Sequence, residues 1–187
     1  MARDPIAVLT LFLFIIGGWQ VELSRRTARA QLRAYVLMHG ADLYDNNDPA
    51  PAHINQQGLV TVVLTIQNFG TTPAHDVRHS AGITIQRTID EEKVIFPKVH
   101  SDMSRFTMGM NSPITKTVRF NRQLTEFEIS DLRTGVNAIY VCGLITYKDT
   151  FNTKHTTTYK MRFNGHWPIG MGVSSPLYMC ESGNEAT

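Results

Sequence analysis

Leu59-Val-Thr-Val-Val-Leu-Thr-Ile-Gln-Asn68 is the stretch that decides the fold. Its even positions, Val60, Val62, Leu64 and Ile66, are all apolar, and Thr61, Thr65 and Gln67 occupy odd ones. Strand side chains point alternately to opposite faces, so this pattern predicts a strand with one buried and one wet face. The same period recurs on either side. Val77, His79, Ala81, Ile83 and Ile85 share parity, and residues 114–120 alternate again. Residues 34–39 predict a first strand, and 42–57, with Asn46-Asn-Asp-Pro49, a polar loop. Residues 138–147 and 155–163 predict a closing pair, while 94–96 and 106–110 are shorter, irregular β segments.

Between these segments, Asn68-Phe-Gly70-Thr-Thr-Pro73 reads as a turn. Thr125 with Glu128 three residues on predicts a capped helix start, and Gly135 its stop. About seven short strands with one helical link predict a mainly β domain, an antiparallel β-sandwich, over residues 34–164. Residues 165–187 read as a C-terminal tail.

The N-terminal end is different. Ile6-Ala-Val-Leu-Thr-Leu-Phe-Leu-Phe-Ile-Ile16-Gly-Gly-Trp19 is apolar on every side, and no charge falls between Ile6 and Val21. As a helix this run rises roughly 24 Å, short of a hydrocarbon core of roughly 30 Å, so its ends need interfacial help. Its Ile, Leu, Val and Phe residues contribute on the order of −3 to −6 kcal/mol to insertion. The expectation is a transmembrane anchor over 1–23 and a basic juxtamembrane helix over 24–33. Trp19 would sit at headgroup level, with Arg25, Arg26 and Arg29 at the membrane interface. The arginines after the run outnumber the charge before it, which places the head in the cytoplasm at an inner membrane. A cleaved signal peptide fits less well, because Asp4 offsets Arg3 and Ala28-Arg-Ala30 lies inside the arginine cluster.

With 187 residues and a formal net charge of +2, the chain has room for one domain plus an appendage, and nothing in its charge suggests nucleic acid. Two cysteines, Cys142 and Cys180, are too few for a disulfide scaffold and read as a buried thiol and a tail thiol. Reactive signatures are scarce. His75 and His79 would share one face of a strand but lie roughly 13 Å apart, too far to hold one ion. Asp90-Glu-Glu92 reads as a solvated acidic turn. Tyr140, Tyr147, Phe151 and Tyr159 read as packing residues, and no nucleophile elbow, phosphate loop or dinucleotide fingerprint occurs.

Several stretches carry a resemblance: Arg33-Ala-Tyr-Val36, Asn68-Phe-Gly-Thr-Thr-Pro-Ala74-His-Asp-Val77, Leu124-Thr with Glu128-Ile129, and Ala138-x-Tyr140-x-x-Gly143-x-Ile145-x-Tyr147-x-Asp149-x-Phe151. Cys180-x-x-Gly183-Asn-Glu-Ala186 is the last. Together they resemble a group of uncharacterised bacterial single-pass membrane proteins. The turn at Asn68–Ala74 is similar to one in immunoglobulin-like adhesion modules, which implies a sandwich and no activity. The expectation is therefore a membrane-tethered, non-enzymatic protein with no cofactor and no metal. Its partners would be the lipid bilayer and another protein or itself, through an edge strand at 155–159. An envelope-facing adhesion module and an enzyme with a site assembled from loops are the alternatives.

Overall fold

The computed structural model describes residues 5–44, 60–98, 103–163 and 174–187. Most of the loop expected at 42–57, together with Leu59 and residues 165–173 of the tail, lies outside them. The chain divides into two compact units, Met1–Arg33 and Ala34–Thr187.

The first unit is one helix, α1 (Pro5–Gln31), running through the apolar stretch and on into the Ala- and Arg-rich one. Arg26 Nε donates to Glu22 Oε1 at 3.0 Å, one turn back. Among the described residues no helix is long and apolar enough to cross a membrane. The uncharged run stops at Val21, and the same helix carries Glu22, Arg25 and Arg26 immediately after it. This overturns the transmembrane anchor, the single-pass assignment and the inner-membrane location with a cytoplasmic head. Trp19, 82% exposed, and Arg25, Arg26 and Arg29 stand on the surface of α1.

The second unit is built from β1 (Val36–Tyr44), β2 (Thr61–Asn68), β3 (Ala74–Arg87), β4 (Phe106–Met108) and β5 (Pro113–Arg119). Then come α2 (Glu126–Thr134), β6 (Asn137–Lys148), β7 (Lys154–Phe163), β8 (Ser174–Met179) and β9 (Glu185–Ala186). All pairings are antiparallel, in the order β4-β3-β6-β7-β8-β1-β2-β5, with β9 on β7. An immunoglobulin-like sandwich keeps two sheets apart. Here β8 joins the halves, because Ser174–Pro176 pair with β1 and Leu177–Met179 pair with β7. The result is one nearly closed, barrel-like sheet, which corrects the sandwich. The strand that closes it comes from the segment read as a tail. β7 is also no edge, since β6 flanks one side and β8 and β9 the other, so no partner strand can add at 155–159.

The alternating residues line the interior. Val62, Leu64 and Ile66 of β2 face Val77 of β3 and Ile139, Val141 and Ile145 of β6, all at 0% exposure. Tyr147 Oη donates to Ala34 O at 3.3 Å and Thr157 Oγ1 to Val36 O at 2.8 Å, tying β6 and β7 to the start of β1. Gly143 stands opposite Tyr159, and a side chain at 143 would overlap the Tyr159 ring. The glycine is there so that the ring can lie flat across β6.

The helix α2 forms as its caps dictate. Glu128 N donates to Thr125 Oγ1 and Thr125 N to Glu128 Oε2, and Gly135 ends the helix at φ 75°. Arg122 forks onto Glu128 at 2.6 and 2.7 Å and holds that carboxyl at about 2. Leu132 and Ile129 turn inward onto the core.

Candidate functional site

After β3 the chain makes a short 3₁₀ segment, Thr88–Lys93, lying over the outer face of β6 and β7. Its start is fixed by Thr88 N on Val136 O at 3.0 Å and Thr88 Oγ1 on Gly135 O at 2.9 Å. The chain leaving β8 turns back toward it. Cys180 N donates to Lys160 O at 2.9 Å. Asn184 Oδ1 accepts from Lys160 N at 2.8 Å while Asn184 Nδ2 donates to Cys180 O at 2.7 Å. Gly183 sits at φ 83°, and a side chain there would meet the Phe96 ring at 2.9 Å. Backbone sign and space therefore both demand glycine.

Between these two walls lies a hollow of about 790 Å³. Ile89, Tyr178 and Met179 line it and remain 84%, 56% and 50% exposed. Asp90, Glu91, Glu92 and Glu181 give it four carboxylates against the cations Lys93 and Arg162. Lys93 is committed to Asp90 at 2.7 Å, and Arg162 to Glu91 at 3.4 Å. Glu92 and Glu181 have no ion pair among the described residues. Behind the wall Lys160, 2% exposed, donates from Nζ to Glu91 O at 3.1 Å and to Ser182 Oγ at 3.0 Å. A buried ammonium with these partners fastens one wall to the other.

Cys142 lies directly opposite Lys160 on β6, and Cys180 adjoins Lys160 on the other side. Two strand spacings, about 9.6 Å, separate their backbones, more than the roughly 7 Å a disulfide spans. Both are free and buried, so Cys180 is no exposed tail thiol. Burial pushes each thiol up to about 11, leaving both protonated at neutral pH and poor nucleophiles.

Two further titratable pairs are interior. His79 Nε2 shares a 2.6 Å hydrogen bond with Tyr159 Oη, and burial, with Lys116 nearby, lowers the imidazole to about 4. A bulge at Asp76, φ 53°, turns His75 outward while His79 points inward, so the two histidines do not share the face expected of them. His155 bridges Asp149 Oδ2 and Thr187 O, each at 2.9 Å. Burial opposes the Asp149 carboxylate, but hydrogen bonds from His155, Thr153 N and Phe151 N outweigh it and keep its pKa low.

The His79 shift has a consequence for stability. The unfolded imidazole takes up its proton near 6.5, the folded one only near 4, so the unfolded state binds more protons between these values. Stability present above pH 6.5 should fall by about 3 kcal/mol as pH drops toward 4. Urea unfolding at about pH 7.5 and about pH 4 measures this, and His79→Gln should flatten the dependence.

Residues 5–166 match the family described as Domain of unknown function (DUF8453). The chain belongs to this family. Nothing among curated proteins or solved structures matches it. In this DUF8453 chain the matched span covers α1 to β7, including the 3₁₀ wall and Arg162, and stops before β8. The acidic turn at 90–92 was visible in the sequence, but as a solvated loop. Tyr178, Met179 and Glu181 carried no periodic signal. The nearest hint was Gly183 and Asn184 in the last resembling stretch, the residues that fold the chain back.

Proposed function

We propose that the β unit is a non-enzymatic binding module that docks a peptide segment of a partner protein in the hollow between Thr88–Lys93 and the chain after β8. The observation that carries this reading is the combination of three exposed apolar side chains, Ile89, Tyr178 and Met179, with the unpaired acids Glu92 and Glu181. Apolar surface ringed by polar residues marks interaction sites. A surplus of carboxylates selects a segment carrying Lys or Arg beside aliphatic or aromatic anchors. The two thiols and Lys160 beneath the wall are engaged in packing and hydrogen bonds, which favours binding over catalysis.

A random peptide library selected on the immobilised full-length chain tests this reading. Selected peptides should pair basic with apolar residues. Their affinity should fall at least tenfold in Glu92→Lys with Glu181→Lys, and again in Tyr178→Ala. Enrichment of acidic peptides, or binding indifferent to these substitutions, would refute it.

A further inference from the structure

A second hollow, of about 260 Å³, opens on the outer face at the other end of β7 and is independent of the peptide reading. Lys154 lies eight residues from Arg162 along β7, about 27 Å of strand. Here the sheet presents two cross-strand rows. Arg78, Thr146 and Thr156 stand opposite one another on β3, β6 and β7, and Lys148 stands directly opposite Lys154 two residues along. Like charges opposed across antiparallel strands are destabilising, so this placement is unfavourable unless something negative lies between them.

Among the described residues the one acid lining the hollow is Asp76, lifted to the outer side by the β3 bulge. Arg78 and Lys148 each approach it at 3.9 Å and Arg105 at 3.6 Å, all longer than a hydrogen bond. Lys154 has no ion pair among the described residues. Asp149, close in sequence, is occupied by His155 and two backbone amides. Three cations thus share one carboxylate and Lys154 adjoins them unpaired among the described residues, with the hydroxyls of Thr146 and Thr156 alongside.

We propose that this hollow binds a tetrahedral oxyanion of the phosphate class. Lys148 and Lys154 would clamp it from opposite strands, Arg78 would donate from its planar fork, and the threonine hydroxyls would complete its hydrogen bonds. Asp76 orients the cations and disfavours a second anion.

Thermal unfolding of the full-length chain in sodium phosphate, against sodium chloride at equal ionic strength, tests the assignment. Phosphate should raise Tm saturably, by about 3–5 °C at ten times its Kd. Glycerol phosphate run in parallel identifies the source: equal shifts assign free phosphate, and a larger one assigns a phosphomonoester. Lys154→Gln separates binding from folding. Without phosphate it should be as stable as the parent or more so, because the opposed charges are relieved. With phosphate it should lose most of the shift, whereas Arg122→Gln, in the loop before α2, should keep it. A shift no larger than that in chloride, or one that survives Lys154→Gln together with Lys148→Gln, would overturn the proposal.

Discussion

Removing Ser174–Thr187 should abolish cooperative folding of the β unit. β8 is the only described strand that hydrogen-bonds both β7 and β1, so its loss divides the sheet into β4-β3-β6-β7 and β1-β2-β5. Losing buried Leu177 alone costs about 2–3 kcal/mol of apolar burial. Lys160 loses Ser182 Oγ and Asn184 Oδ1, and His155 loses its bond to Thr187 O. Lys160 keeps only Glu91 O, and the apolar surface that β8 covered opens to water at about 25 cal/mol per Å². Together these approach the roughly 5–15 kcal/mol by which a domain is stable. Circular dichroism and dye binding should show a chain that keeps strand signal, loses its sharp melting transition and exposes apolar surface.

The second large effect is expected at Gly143. Replacing it with Ala drives Cβ into the Tyr159 ring, which is 1% exposed and fastened through its hydroxyl to His79. Overpacking costs about 1–3 kcal/mol where neighbours can adjust, and here the ring has nowhere to go. A loss of about 3 kcal/mol, or roughly 6–12 °C in Tm, is expected. The attribution is checked by a double-mutant cycle. In a Tyr159→Leu background the same glycine substitution should cost less than about 1 kcal/mol, because the overlapping atoms are gone.

How much of this was legible in the sequence follows from the range of the interactions concerned. β2 and β6 could be read because alternation records which face is buried, and Val62, Leu64 and Ile66 are indeed at 0% exposure. α2 could be read because its caps are local chemistry between residues three apart. β8 could not, since Ser174, Ser175 and Pro176 neither alternate nor favour strands, and the segment pairs with two different partners in succession. Missing it turned one nearly closed sheet into a sandwich. The Asp76 bulge was equally silent, because one extra residue shifts parity without marking itself in composition.

The candidate site was less legible than the fold. Ile89 and Tyr178 are distant in the chain and line one hollow because β8 pairs with β7, which sets Tyr178 opposite Arg162. The opposed lysines at 148 and 154 become visible once the β6–β7 register is known, because a hairpin fixes which residues face each other.

The claim on which the hollow and the fold both depend is that the C-terminal strands are integral to the sheet. Amide hydrogen exchange of the full-length chain measures it at single residues. The Cys180 amide, bonded to Lys160 O, and the Thr187 amide, bonded to Thr156 O, should exchange slowly. Cys180 should match the slow amides in the middle of β6. Exchange of the Cys180 amide at the rate of an unstructured peptide, while β6 stays protected, would contradict the account.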